Sequence, residues 1–125
     1  MITSGIRGVF MNGTLTTILA AVPDQVLYDL RRLNVPMHLS GYCQLCIAIS
    51  IFANDITQLM CGELYPAVAK AFGHMDWRAV EFSIRRAILS AWKHRDPEVW
   101  SEYFPGSTKA PSNKLFIATL AQRIK

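Results

Sequence analysis

The stretch Trp77–Arg95, WRAVEFSIRRAILSAWKHR, reads as one amphipathic helix, and the fold follows from it. At 100° per residue, Val80, Ile84, Ala87, Ile88 and Ala91 fall within about 100° of one another, the width of a buried stripe. Phe82, Arg86, Leu89 and Lys93 lie opposite, with Arg78 and Arg85 on one flank and Ala79 and Ser90 on the other. The stretch carries five cations (Arg78, Arg85, Arg86, Lys93, Arg95) and one acid (Glu81); five minus one is +4, the formal net charge of the whole chain. The basic excess thus sits on one element, and a helix of this kind is a candidate for entering a DNA groove. The competing reading is a solvated amphipathic face.

The 125 residues have room for one domain with a real core, and 51% hydrophobic against 18% charged content argues against disorder. A pI near 9.2 favours polyanionic partners. The three cysteines, an odd number, do not resemble a disulfide framework, so a reducing cytoplasm is the expected setting. The apolar run Leu15–Val22, broken by Thr16 and Thr17, makes a poor signal peptide, and no run approaches bilayer-spanning length.

Outward from the arginine helix, helical periodicity keeps returning and strand signals are nearly absent, which predicts an all-α fold: a compact bundle of about six helices containing a helix-turn-helix. Pro23-Asp24 opens a segment with Val26, Leu30 and Leu33 inward, closed by Asn34-Val35-Pro36. Gly41 precedes a helix from Tyr42 to about Phe52, apolar on most faces and therefore central, and ending near Asn54-Asp55. A short helical piece is expected around Ile56–Met60. Pro66 suits a first turn, with Val68, Ala71 and Phe72 inward before Gly73. Asp76 is placed to cap the arginine helix, Asp96-Pro97 the next, and Ser112 or Asn113 the last, which turns Phe116, Ile117, Leu120 and Ile124 inward. Trp77, Trp92 and Trp100 are spaced as packing residues, with Trp92 expected in the core. Residues 1–22 read as an arm or a short extra helix, and 23–125 as the domain.

From Tyr65 to Trp92 the order is short helix, tight turn at Gly73, and basic helix, the arrangement of a helix-turn-helix. Arg78, Glu81, Arg85 and Arg86 are the candidates for base edges, since arginine meets guanine bidentately and a carboxylate accepts from a cytosine amino group. Lys70, Lys93, Lys109 and Lys114 are candidates for phosphates. Phe82 projects from the centre of the outer face: toward DNA it meets a thymine methyl or wedges against sugar, toward protein it forms a patch with Leu89, and a neighbouring element such as the N-terminal arm is the third possible cover.

The residues also carry a resemblance. From about Asp24 onward, about four-fifths of the chain, the sequence resembles the DNA-binding effector domain of the stage-zero sporulation master response regulator of endospore-forming bacteria. The landmarks run in order: Val35-Pro36, Gly41-Tyr42, Ala48-Ile49-Ser50, Asn54-Asp55-Ile56, Leu64-Tyr65-Pro66 and Ala69-Lys70. They continue with Val80-Glu81, Ile84-Arg85, Ala87-Ile88, Ala91-Trp92, Pro111, Asn113 and Phe116-Ile117-Ala118. The resemblance implies a six-helix domain that binds double-stranded DNA, pairs as a homodimer on tandem sites and contacts RNA polymerase. Where the family reads Arg-Val-Glu-Arg, this chain has Ala79-Val80-Glu81-Phe82; Arg85 matches the next family arginine and Arg86 replaces a histidine. The connection from Asn54 to Leu64 is shorter than in the family. With about 22 residues ahead of the match, a free-standing effector domain without the family's phosphorylatable receiver is expected.

Cys43 and Cys46 share a helical face, with Cys61 and His38 as conceivable additions, but a structural zinc site wants four ligands, and cysteines in so apolar a helix behave as small hydrophobes. No metal and no cofactor are expected. His74 lies in the turn, where it can meet a phosphate, and His94 at the C-terminal end of the basic helix. No glycine-rich phosphate loop, nucleophile elbow or acid pair beside a histidine can be assembled, so the chain is not read as an enzyme. Two functions remain: a sequence-specific DNA-binding transcriptional regulator of the sporulation type, and a protein-interaction module that keeps the fold with weakened operator specificity.

Overall fold

The computed structural model describes residues 22–54, 63–73 and 76–124, and all regular structure in them is helical. Six helices follow one another: α1 Asp24–Arg32, α2 Ser40–Asn54, α3 Leu64–Ala71, α4 Trp77–Lys93, α5 Pro97–Tyr103 and α6 Asn113–Ala121. The arm, the piece around Ile56–Met60, Cys61 and His74 lie outside the described residues.

The caps predicted from sequence carry the helix starts. The side chains of Asp76, Asp96 and Ser112 accept from the backbone N–H of Arg78, Glu98 and Leu115 at 3.0, 3.0 and 3.1 Å, each satisfying a donor that the first turn leaves open. Two helix ends are made by left-handed residues. Gly73 has φ +88° and follows α3, where a side chain would be strained. Asn34 has φ 62° and closes α1, with its own N–H donating to Arg31 O and that of Val35 to Leu30 O, both at 3.0 Å. Asn34 Nδ2 also donates to the His94 carbonyl at 3.2 Å, so one residue ends α1 and ties it to the end of α4. Asn34→Ala is expected to cost about 1 to 2 kcal/mol in urea unfolding, most of it the left-handed backbone, and Asn34→Gly markedly less.

The apolar α2 is the centre of the bundle, packed against α1, α3, α4 and α6. Leu45, Cys46, Ala48 and Ile49 are fully enclosed. It begins two residues earlier than the sequence suggests, so Gly41 lies inside it rather than ahead of it. The reason is a close approach: a Cβ on Gly41 would meet the Ser83 carbonyl oxygen and come within 2.8 Å of Ala87 Cβ, so only glycine lets α2 and α4 lie this near. All five residues of the expected stripe on α4, Val80, Ile84, Ala87, Ile88 and Ala91, are at 0% exposure. Phe116, Ile117 and Leu120 meet the same core from α6, whereas Ile124 is only partly buried beyond the helix end. The helix stops at Ala121, not at the terminus.

The tryptophans divide. Trp100 is buried, donates its indole N–H to the Leu33 carbonyl at 3.1 Å, and packs against Trp92, Phe104 and Phe116 with centroids 5.5, 5.5 and 6.1 Å away. Trp92 is partly buried, edge-on to Trp100 and covered by the Arg95 guanidinium at 3.7 Å. Trp77, expected to pack, is 42% exposed because it is the first residue of α4, ahead of the turn whose inward side reaches the core.

A polar knot that periodicity does not reveal adjoins the Trp100 ring cluster through Tyr103, whose ring centroid lies 6.5 Å from that of Phe104. Asp29, at 0% exposure, accepts from the Tyr103 hydroxyl at 2.6 Å, Gln25 Nε2 at 3.0 Å and Arg123 Nε at 3.0 Å, joining α1, α5 and the chain after α6. Burial first, and the Asp29 carboxylate second, push the Tyr103 hydroxyl up to about 12. Because the folded state holds this proton more tightly than the unfolded chain, its contribution is complete below about pH 10 and is lost as pH rises toward 12. An alkaline unfolding titration should therefore fall away in that window, and Tyr103→Phe should flatten the fall while lowering stability at neutral pH.

Candidate nucleic-acid interface

The helix-turn-helix sets α3 against α4, with Gly73 starting the turn between them. The outer face of α4 projects from a rigid base, since its inward stripe is locked in the core. Phe82 is 69% exposed and Leu89 45%, with Arg78, Glu81, Arg86 and Lys93 also exposed. The two ion pairs among the described residues, Arg32–Glu102 and Arg123–Asp29, use none of the α4 cations.

Arg78, Glu81, Phe82 and Arg85 form one wall of an open cleft of about 970 Å³. The loop before α6 and its first turn supply the other wall with Lys109, Ala110, Ser112, Asn113 and Lys114, and Tyr65 of α3 completes it. The ionic lining is Arg78, Arg85, Lys109 and Lys114 against Glu81; four minus one is +3, so the cleft attracts anions. Lys109 and Lys114, 16 and 21 residues beyond the end of α4 in the chain, are thus brought beside its arginines. Arg86 and Lys93 lie further round α4, and Lys70 is exposed in the last turn of α3; these three do not line the cleft.

Two bonds hold the far wall in place. Arg85 Nη1 donates to the Pro111 carbonyl at 2.6 Å, and Asn113 Nδ2 donates to the Glu81 carbonyl at 3.2 Å. Arg85 is therefore half-buried and partly committed to positioning the lysine-bearing loop, rather than being a wholly free reader. Asn113, considered in the sequence only as a cap, is buried and makes this tertiary contact instead, while Ser112 does the capping. Burial also pushes the Tyr65 hydroxyl up from its ordinary value, with its hydrogen bond to Asn113 opposing that shift. Arg85→Ala should release the loop: we expect faster cleavage by trypsin at Lys109 in limited proteolysis and a stability loss of about 1.5 to 3 kcal/mol, the worth of a charge-assisted hydrogen bond.

The remaining candidates fall into place around the cleft. The Arg78 guanidinium lies 5.6 Å from the Trp77 ring centroid, a cation–π contact that orders the arginine at the start of the helix. Arg95 folds back, donating to the Trp92 carbonyl at 2.8 Å, so it belongs to the helix end and not to the working face. His94 caps α4, with Nδ1 3.1 Å from the Ser90 carbonyl. Cys46 is buried, its thiol pushed up to about 12 by that burial, which makes it unreactive. Among the described residues no three of His, Cys, Asp and Glu gather as metal ligands. No helix of the described residues is long and apolar enough to cross a membrane.

The model of the family described as sporulation initiation factor Spo0A C terminal matches residues 26–124. The match spans all of α2 to α6 and the greater part of α1.

Proposed function

We propose that this chain, which belongs to the Spo0A C-terminal family of sporulation-initiation DNA-binding effector domains, is a sequence-specific transcriptional regulator that presents α4 to the major groove of double-stranded DNA. The observation that carries the reading is the cleft beside α4, where four cations and one acid line a surface set on a rigid helix. Arg78, Arg86 and Glu81 serve the base edges, Phe82 lies at the centre of the same face, and Arg85 divides its donors between DNA and the loop. Lys109 and Lys114 take phosphates on one side, with Lys93 and Lys70 on the other. Such a domain acts in the cytoplasm at the nucleoid, pairs on tandem sites and contacts RNA polymerase.

The test is binding of the intact chain to a random-sequence duplex pool at two salt concentrations. Each phosphate neutralised contributes about −0.9 to the slope of log K against log salt, so four lysines at phosphates predict a slope near −4 together with enrichment of particular sequences. Absence of enrichment at both concentrations would sink the regulator reading. One observation favours a second reading, an interaction module: Phe82 and Leu89, seven residues apart and therefore on one helical face, are both exposed. It predicts association with a protein partner that requires Phe82, and little affinity for duplex even at low salt.

A further inference from the structure

We infer that Phe82 is a specificity-determining residue that reads thymine through its 5-methyl group. The inference rests on the proposed docking of α4 in the major groove and names the base class recognised at its centre.

Phe82, 69% exposed, shares its helical face with the exposed Leu89, and an apolar patch of this kind marks a binding surface. The surroundings restrict which partner that surface takes. Arg78 precedes Phe82 by one helical turn, Arg86 follows by one turn and Arg85 by three residues, while Lys109 and Lys114 face it across the cleft. A ring flanked by cations, none of which is in an ion pair among the described residues, suits a polyanion that carries apolar groups between its charges, and an apolar protein surface would leave those cations desolvated. Duplex DNA offers one such group in the major groove, the thymine methyl, where only hydrogen-bonding edges otherwise lie. Glu81, exposed beside the ring, is an acceptor with no use for the thymine O4 acceptor, so the pair suits a thymine next to a cytosine amino group.

The test compares duplex pools of random sequence made with thymine or with deoxyuridine, which removes the methyl and leaves the pairing. The wild-type chain should bind the thymine pool about three- to fivefold more tightly, the worth of one buried methyl group, and enrich thymine at a fixed position. Phe82→Ala, at an exposed site that spares the core, should bind both pools alike and lose that enrichment. Equal binding of the two pools by the wild type would overturn the inference and leave the DNA-binding reading intact. An equal loss on both pools in Phe82→Ala would mean a sugar wedge and also overturn it. Failure of the wild type to bind either pool at low salt would remove the proposed function itself, and a Phe82-dependent shift in sedimentation of the free chain would assign the ring to a protein interface.

Discussion

Gly41→Val is expected to destabilise the domain by about 3 kcal/mol, the upper end of the usual cost of overpacking a core. The glycine faces α4 at Ser83 and Ala87, and the atom that a Cβ would strike first is the Ser83 carbonyl oxygen, part of a helical backbone that cannot swing aside as a flexible side chain would. A branched side chain must therefore push α2 and α4 apart. The pair is the main packing contact of the bundle, and separating it opens voids around Leu45, Ile84 and Ile88, which are all fully buried. Gly73→Ala provides the contrast. Nothing lies within 4 Å of a Cβ there, so only the left-handed backbone is penalised, by about 1 to 2 kcal/mol. Urea unfolding of both variants checks the order; a Gly41→Val loss smaller than that of Gly73→Ala would mean that the two helices can separate cheaply. The function should follow the fold, because the displaced helix is the one carrying the basic face.

Much of this architecture is readable from residue spacing. The stripe of α4, the centrality of α2 and the caps at Asp76, Asp96 and Ser112 are local signals, set by 3.6-residue periodicity and by the chemistry of a helix start. What escapes is tertiary. Gly41 looks like punctuation and is a contact, because nothing in its neighbourhood in sequence announces Ser83. Asp29 sits beside the inward Leu30 without an apolar reason, and its partners Tyr103 and Arg123 are 74 and 94 residues away. The cleft is the same kind of object: Arg85 and Pro111 are 26 residues apart, and Asn113 and Glu81 are 32. Sequence can nominate Lys109 and Lys114 by charge, but only the packing of α6 against α4 brings them opposite Arg78. Trp77 fails for a related reason, since hydrophobicity predicts burial and the first residue of a helix need not reach the core.

The double replacement Arg78→Ala with Arg86→Ala is expected to weaken duplex binding at least thirtyfold at moderate salt, about 2 kcal/mol, while leaving stability within about 0.5 kcal/mol. Both side chains are exposed, and neither takes part in an ion pair among the described residues that its removal would break. Their settings differ in a way the measurement can resolve. Arg78 is ordered against Trp77, so it loses little rotamer freedom on binding and should contribute the larger share. Arg86 is exposed, lies outside the cleft lining and has no ion pair among the described residues, so it must be ordered by the DNA. If the two read bases, the loss should be confined to enriched sequences, with the salt slope nearly unchanged. If they neutralise phosphates, the loss should be uniform across sequences and the slope should fall by about 2. Arg95→Ala is the control, because that guanidinium is folded over Trp92 and donates to its carbonyl. Its removal takes the same single charge from beyond the C-terminal end of α4, so equal weakening by Arg95→Ala and by Arg78→Ala or Arg86→Ala alone would show that net charge, and not the geometry of α4, governs binding.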